Sequence, residues 1–193
     1  MKKRFGSRWW LVLLLGFVLG AGSVWAGETL FFLNWAPAVS PVEEDTLLIR
    51  HDAKGSGAFG APRSGNRRHR GVDLEAPVGT PVCAIRSGQV LEIGRHKGLG
   101  LFVVLEHGHD LRSVYAHLDQ TQVEVGQRVR QGRKIGTVGK TGNARHPSIT
   151  PHLHFEVLRD GEPIDPATLG FVFVDPLHLS RRNATNVDAN GGE

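Results

Sequence analysis

The sequence has a single cysteine, Cys83. That excludes an intramolecular disulfide framework and a metal cluster built on thiolates. Lying in the apolar run of residues 80–85, with no CxxC neighbour, Cys83 reads as a buried small hydrophobe. An HExxH motif is also absent, so a zinc site local to one helix is excluded. There is no internal repeat of useful length, and no segment of the central region has the pattern of a long helix. Excess charge is small: 23 Lys and Arg stand against 19 Asp and Glu, a net +4. Four of the cations, Lys2, Lys3, Arg4 and Arg8, precede the first acid at Glu28. Residues 51–170 hold 16 basic and 12 acidic residues and stay mildly basic. Such a field suits an anionic polymer of the cell envelope but is too weak to argue for nucleic-acid binding.

What the sequence does have is glycine, 25 residues scattered among short apolar runs. That composition predicts many tight turns between strands. β-like runs at 81–85, 89–93, 101–106, 112–118, 134–138 and 152–158 alternate with turn residues, and Asp160-Gly161 is a hairpin signal. The expected fold is all-β, a compact and mainly antiparallel sheet or barrel-like domain. The chain divides into a segment 1–26, a linker or docking segment 27–50, a central domain 51–170, and a polar, glycine-rich tail 171–193 expected to be largely disordered. Residues 1–26 have the grammar of an export signal: a basic start, an apolar stretch from Trp9, and small residues ending at Ala26. The apolar stretch of 18 residues is at the edge of bilayer-spanning length. Export to the periplasm or cell envelope is expected, with the signal either cleaved or retained as an anchor in the inner membrane.

Histidine and aspartate fall at ligand-like spacing in three places: His69 to Asp73, His117 within Tyr115-Ala116-His117-Leu118, and His152 to Glu156. Period-2 geometry puts His152, His154 and Glu156 on one strand face, opposite Leu153, Phe155 and Val157. The same rule puts Ser113, Tyr115 and His117 on one face of the 112–118 run. If the two strands are neighbours, their histidines line one groove over a sheet whose other face is core. Gly71 allows a bend that turns His69 and Asp73 toward one ion. A set of two histidines and an aspartate, with a fourth position open to water, is a catalytic zinc arrangement by ligand type. It could activate that water and polarise a carbonyl. Glu156 shares the histidine face and is a candidate partner for a ligand. Arg63 reads as either a substrate contact or a structural ion pair. His107 and His109 read as turn residues, and His51, His96, His146 and His178 as surface positions.

Over residues 55–167 the chain resembles the lysostaphin/LytM-type zinc metallopeptidases. The resemblance is carried in order by Gly57-Ala58-Phe59-Gly60 with Pro62-Arg63, HRGVDLEAPVGTPVCAIRSGQV, VYAHL, GRKIGTVGKTGNAR and PHLHFEV. It implies a mainly antiparallel β-domain with a narrow groove and one zinc ion per chain, held by His69, Asp73 and His154. It also implies that His117 and His152 are the catalytic pair that does not ligate the metal, and that the substrate is the peptide cross-links of bacterial peptidoglycan. All five positions are filled, unlike relatives that have lost ligands and only regulate other wall hydrolases. The alternatives are a non-catalytic or autoinhibited regulator of that kind, and a zinc peptidase acting on a peptide outside the wall. The stretch 145–150 is bulkier than the glycine-rich loop expected from relatives, and no wall-binding module is recognisable.

Overall fold

The structure is a computed structural model that describes residues 37–176. The expected export segment 1–26, residues 27–36 and residues 177–193 lie outside the described residues. In chain order the strands are β1 (Leu47–Leu48), β2 (His51–Asp52), β3 (Gly55–Ser56), β4 (Pro62–Arg63), β5 (Arg67–Arg68), β6 (Val72–Glu75), β7 (Pro81–Cys83) and β8 (Gly88–His96). They continue as β9 (Gly100–Glu106), β10 (Leu111–Thr121), β11 (Arg128–Val129), β12 (Lys134–Val138), β13 (His152–Arg159), β14 (Glu162–Ile164) and β15 (Phe173–Val174). Short 3₁₀ turns lie at Gly142–Arg145 and Pro166–Leu169. No helix among the described residues is long and apolar enough to cross a membrane.

Nine strands form one sheet, in the order β11-β8-β9-β10-β12-β7, with β13 branching from β10 and carrying β14 and β6. The alternation of β13 explains its place. Leu153, Phe155 and Val157 are fully buried in the main core, while His152, His154 and Glu156 face the other way. Each such apolar side chain gains about 1.5–3 kcal/mol by leaving water. A slip of one residue would exchange the two faces, so burial fixes the register. The Asp160-Gly161 turn, with φ of 53° and 81°, closes the β13–β14 hairpin as its sequence predicts.

β10 departs from the simple alternation expected of it. Ser113 and Tyr115 do not share a polar groove face with His117. Tyr115 is fully buried in the main core, and its hydroxyl accepts from the Ile85 N–H (3.0 Å) and from Ser113 Oγ (3.0 Å). The strand bulges at His117, which takes a left-handed φ of 63°. Its pairings with β9 shift register between Tyr115 and Leu118. The extra residue sends His117 to the His154 side of the sheet and returns Leu118 to the core. At the same point β10 changes partner: residues 111–116 pair with β13, and residues 118–121 with β12.

Residues 37–50 are docked against the sheet. Cys83 N–H donates to Pro41 O (2.9 Å), Val42 bridges Val82, Ile49 bridges Leu74, and β1 runs parallel to β15. The tail expected from residue 171 therefore begins as packed chain. Phe171 is buried against Phe155 with ring centroids 6.0 Å apart, and β15 closes on β1 because Phe171 and Phe173 have core surface to cover. Phe155→Ala should lower the unfolding free energy by about 3–5 kcal/mol. In urea titration this reads as a drop in midpoint with little change in slope.

Candidate functional site

β6 and β13 are antiparallel neighbours with Asp73 directly opposite His154, and the segment before β6 brings His69 to the same point. His69 Nε2, His154 Nδ1 and Asp73 Oδ1 form a triangle with sides of 3.0, 3.1 and 2.8 Å. The other end of each imidazole is committed. His69 Nδ1 faces the Ala58 carbonyl (2.9 Å), and His154 Nε2 faces Glu156 Oε1 (2.9 Å). A carbonyl and a carboxylate only accept, so those nitrogens carry the hydrogens, and in the neutral rings the lone pairs turn inward. Two imidazole lone pairs and a carboxylate oxygen thus converge on one point, and only a cation reconciles them. Gly71 sits at the bend between His69 and Asp73. A Cβ there would run into the Phe155 carbonyl, so glycine also permits the close approach of this turn to β13.

The outer oxygen of Asp73 is held by arginines. Arg50 Nη2 lies 3.0 Å from Oδ2 and Arg63 Nη2 3.5 Å from it, while Arg63 Nη1 donates to Ser56 O (2.9 Å). Arg63 is therefore an ion-pair partner of Asp73. Sequence reasoning missed Arg50, which is 4% exposed and also pairs with Asp52 (2.6 Å). Asp52 in turn accepts from Thr150 N–H (3.0 Å), joining the loop before β13 to the same network. Burial works to raise the Asp73 carboxyl, but its hydrogen bond with His154 and the charge on that ring outweigh it and hold the group well below the usual carboxylate range. Burial likewise opposes charge on His154. Its bonds to Asp73 and Glu156 win, however, and raise it to about 9.

His117 and His152 flank this triangle. Their ring centroids are 5.0 Å apart, and His117 lies 5.7 Å from His154. His152 Nδ1–H donates to Thr150 O (2.7 Å), and its Nε2 is 3.8 Å from Asp73 Oδ1. His117 Nδ1–H donates to Thr141 O (2.9 Å). Thr141 stitches the bulge together, its hydroxyl donating to Leu118 O and accepting from Leu101 N–H, both at 2.9 Å. Burial, with the neighbouring His152 and His154, pushes His117 down to about 3, and burial also lowers His152. Both rings are neutral at pH 7, with Nε2 free to take a proton.

All five histidine and aspartate positions expected of the site line one groove of about 650 Å³. Glu156 and Arg63 line it with them, as do Asn143, Ala144 and Ile149 of the bulky stretch and its 3₁₀ turn. None of residues 37–49 does. His51, His96, His109 and His146 are exposed. His107 departs from its reading as a turn residue, being 2% exposed. It bridges Ser87 O (3.0 Å) and Ser113 Oγ (2.7 Å) and joins the chain of buried polar groups that ends at Tyr115. Burial drives it down to about 4, so it sits neutral in the interior. His178 lies outside the described residues.

The donor set fits zinc. Tetrahedral bonds of about 2.0–2.1 Å put ligand atoms roughly 3.3 Å apart, close to the 2.8–3.1 Å observed here. Without metal, the proton on His154 takes the cation's place. Metal binding must displace it, so at pH 7 uptake should release about one proton per ion, measurable by calorimetry in buffers of different ionisation enthalpy. The same proton stabilises the metal-free fold fully below about pH 6.5, the free-histidine value, and that stabilisation is lost as pH rises through about 9. Zinc affinity should rise across this window while metal-free stability falls. Glu156→Gln should weaken zinc by about 10–100-fold, read by competition with a chromophoric chelator.

Comparison with known proteins agrees with this geometry. Peptidoglycan DD-endopeptidase ShyB of Vibrio cholerae is 39% identical over 97 residues, covering 50% of this chain and 22% of the relative. The chain spans only about a fifth of the length of the curated relatives it matches first. Among solved structures, the catalytic domain of the antimicrobial peptidase lysostaphin from Staphylococcus simulans is 34% identical with a TM-score of 0.53, covering 62% of this chain and 93% of that domain. A zinc containing peptidase from Vibrio cholerae is 30% identical with a TM-score of 0.52, covering 68% of this chain and 38% of its own. The signature of peptidase family M23 spans residues 67–166, which include His69, Asp73, His117, His152 and His154, and the chain belongs to that family.

Proposed function

We propose that the chain is a zinc-dependent endopeptidase that hydrolyses peptide cross-links of bacterial peptidoglycan, with one zinc ion held by His69, Asp73 and His154. The observation that carries this reading is the pair His117 and His152. Two neutral imidazoles, each fixed by a backbone carbonyl, stand beside a complete ligand set without joining it. Storage of a metal needs no such pair, whereas hydrolysis needs groups that move protons. When bound, zinc supplies Lewis-acid polarisation of a carbonyl and lowers the pKa of a water. His152, whose Nε2 faces Asp73, can take a proton from the attacking water. That proton can pass on to the leaving amine, directly or by way of His117 Nε2 across the groove, and His117 carrying it can donate to the developing oxyanion.

The wall substrate is supported by likeness to the Vibrio cholerae DD-endopeptidase and to lysostaphin. Exposure of that substrate outside the cytoplasm agrees with the export grammar of residues 1–26, and we place the protein in the periplasm or cell envelope, held at the inner membrane if the segment is retained. The intact set of five residues favours an enzyme over a regulator.

His117→Ala and His152→Ala should each cost about 10²–10⁴-fold in turnover while zinc content stays near one per chain. Zinc lost from either variant would make that residue a ligand. The reading itself is tested by digesting purified cross-linked peptidoglycan, with and without chelator and beside His154→Ala, and identifying the fragments by mass spectrometry. Zinc-dependent loss of cross-linked dimers is expected. A folded, zinc-loaded protein that leaves the dimers intact would sink it.

A further inference from the structure

The charges that line the groove do not balance. Arg50 and Arg63 are neutralised on Asp52 and Asp73, and Arg70 leans on Glu156 at 3.7 Å. Lys54, Arg67 and Arg68 line the same groove, and among the described residues none of the three forms an ion pair with a carboxylate. Arg67 and Arg68 make up β5 and are tethered only to neutral acceptors. Arg67 Nε donates to Ser64 O (3.1 Å) and Nη2 to Ser64 Oγ (3.4 Å), while Arg68 Nη1 donates to Gly60 O (3.1 Å). A guanidinium has five N–H donors in a fixed fork, so both keep donors to spare in an orientation already set. The hairpin is also in register with the metal site. His69 N–H donates to Ala61 O and Gly60 N–H to His69 O, both at 2.9 Å, and Arg68 adjoins His69 in the chain. Beside His117, whose N–H donates to Leu99 O, the groove is lined by His96, Gly98, Leu99, Asn143 and Ala144, none of them an arginine or a lysine.

We propose that the β4–β5 hairpin selects the substrate: Arg67 and Arg68 take a free carboxylate carried by the peptide beside the bond to be cut. The groove thereby prefers acidic wall peptides to neutral ones, such as amidated or all-glycine bridges. The proposal rests on the peptidase reading for its setting. Arg–carboxylate pairing supplies geometry as well as charge, and the one-sided charge of the groove sets the direction in which the peptide lies.

The test uses a cross-linked wall peptide with free carboxylates and the same peptide fully amidated. Binding is measured by calorimetry on the zinc-loaded full chain carrying His152→Ala, and turnover on the full chain without it. The acidic peptide should bind about five- to tenfold tighter, the size expected of one or two partly exposed charged pairs. In Arg67→Gln/Arg68→Gln the ratio should fall to about one, and Arg67→Lys/Arg68→Lys should restore part of it, with zinc content certifying the fold of each variant. Equal binding of the two peptides, or a preference that survives the double glutamine change, overturns the proposal. Hydrolysis of neither peptide would instead overturn the peptidase reading, and the binding ratio would still decide the role of the hairpin.

Discussion

Everything in the site depends on three lone pairs being forced together. His69 Nε2, His154 Nδ1 and Asp73 Oδ1 would repel one another if nothing positive lay between them, and the fold holds them there by binding the far end of each group. Ala58 fixes one ring, Glu156 the other, and Arg50 with Arg63 the carboxylate. The energy that maintains this arrangement comes from elsewhere: Leu153, Phe155 and Val157 on the reverse of β13 are buried in the core, so the strand cannot turn its histidines away without exposing them. Packing on one face of a strand thus holds, on the other, a cluster that needs a proton or a metal ion at its centre.

His117 reaches the site by a different route. A side chain two residues after Tyr115 would ordinarily follow it into the core. The left-handed residue in the bulge costs on the order of 1–3 kcal/mol, and Thr141 offsets it with bonds to β9, to β10 itself just after the bulge, and to the His117 ring. The strained residue is the one proposed to handle protons, and the strand changes partner at that same residue.

Much of this was legible in the sequence, where one period decided the outcome. Alternation in 152–158 gave the right faces because β13 is a regular strand with a real core behind it. HxxxD and HxH pointed to residues that the fold does bring together, His69, Asp73 and His154, because their spacing matches a turn and a strand. The same alternation misplaced His117 relative to Ser113 and Tyr115, since a bulge is not written in a hydrophobic pattern. Arg50 was invisible for another reason: it lies 23 residues before Asp73, beyond the β2–β3 hairpin, and only tertiary contact joins them. His107 looked like a turn histidine, but its partners Ser87 and Ser113 come from separate parts of the chain.

The fork in β10 makes chain length as much a part of the site as residue identity. Residues 111–116 are counted off against β13 and residues 118–121 against β12, so one position is left between the two rulers, and His117 occupies it. Removing or adding a single residue between Tyr115 and Leu118 would leave every motif residue in the sequence and still deliver the wrong side chain to the groove. The β13–β14 turn at Asp160-Gly161 has no such double bookkeeping and can absorb insertions. Variation in loop length should therefore be tolerated at that end of the sheet and rejected at the fork.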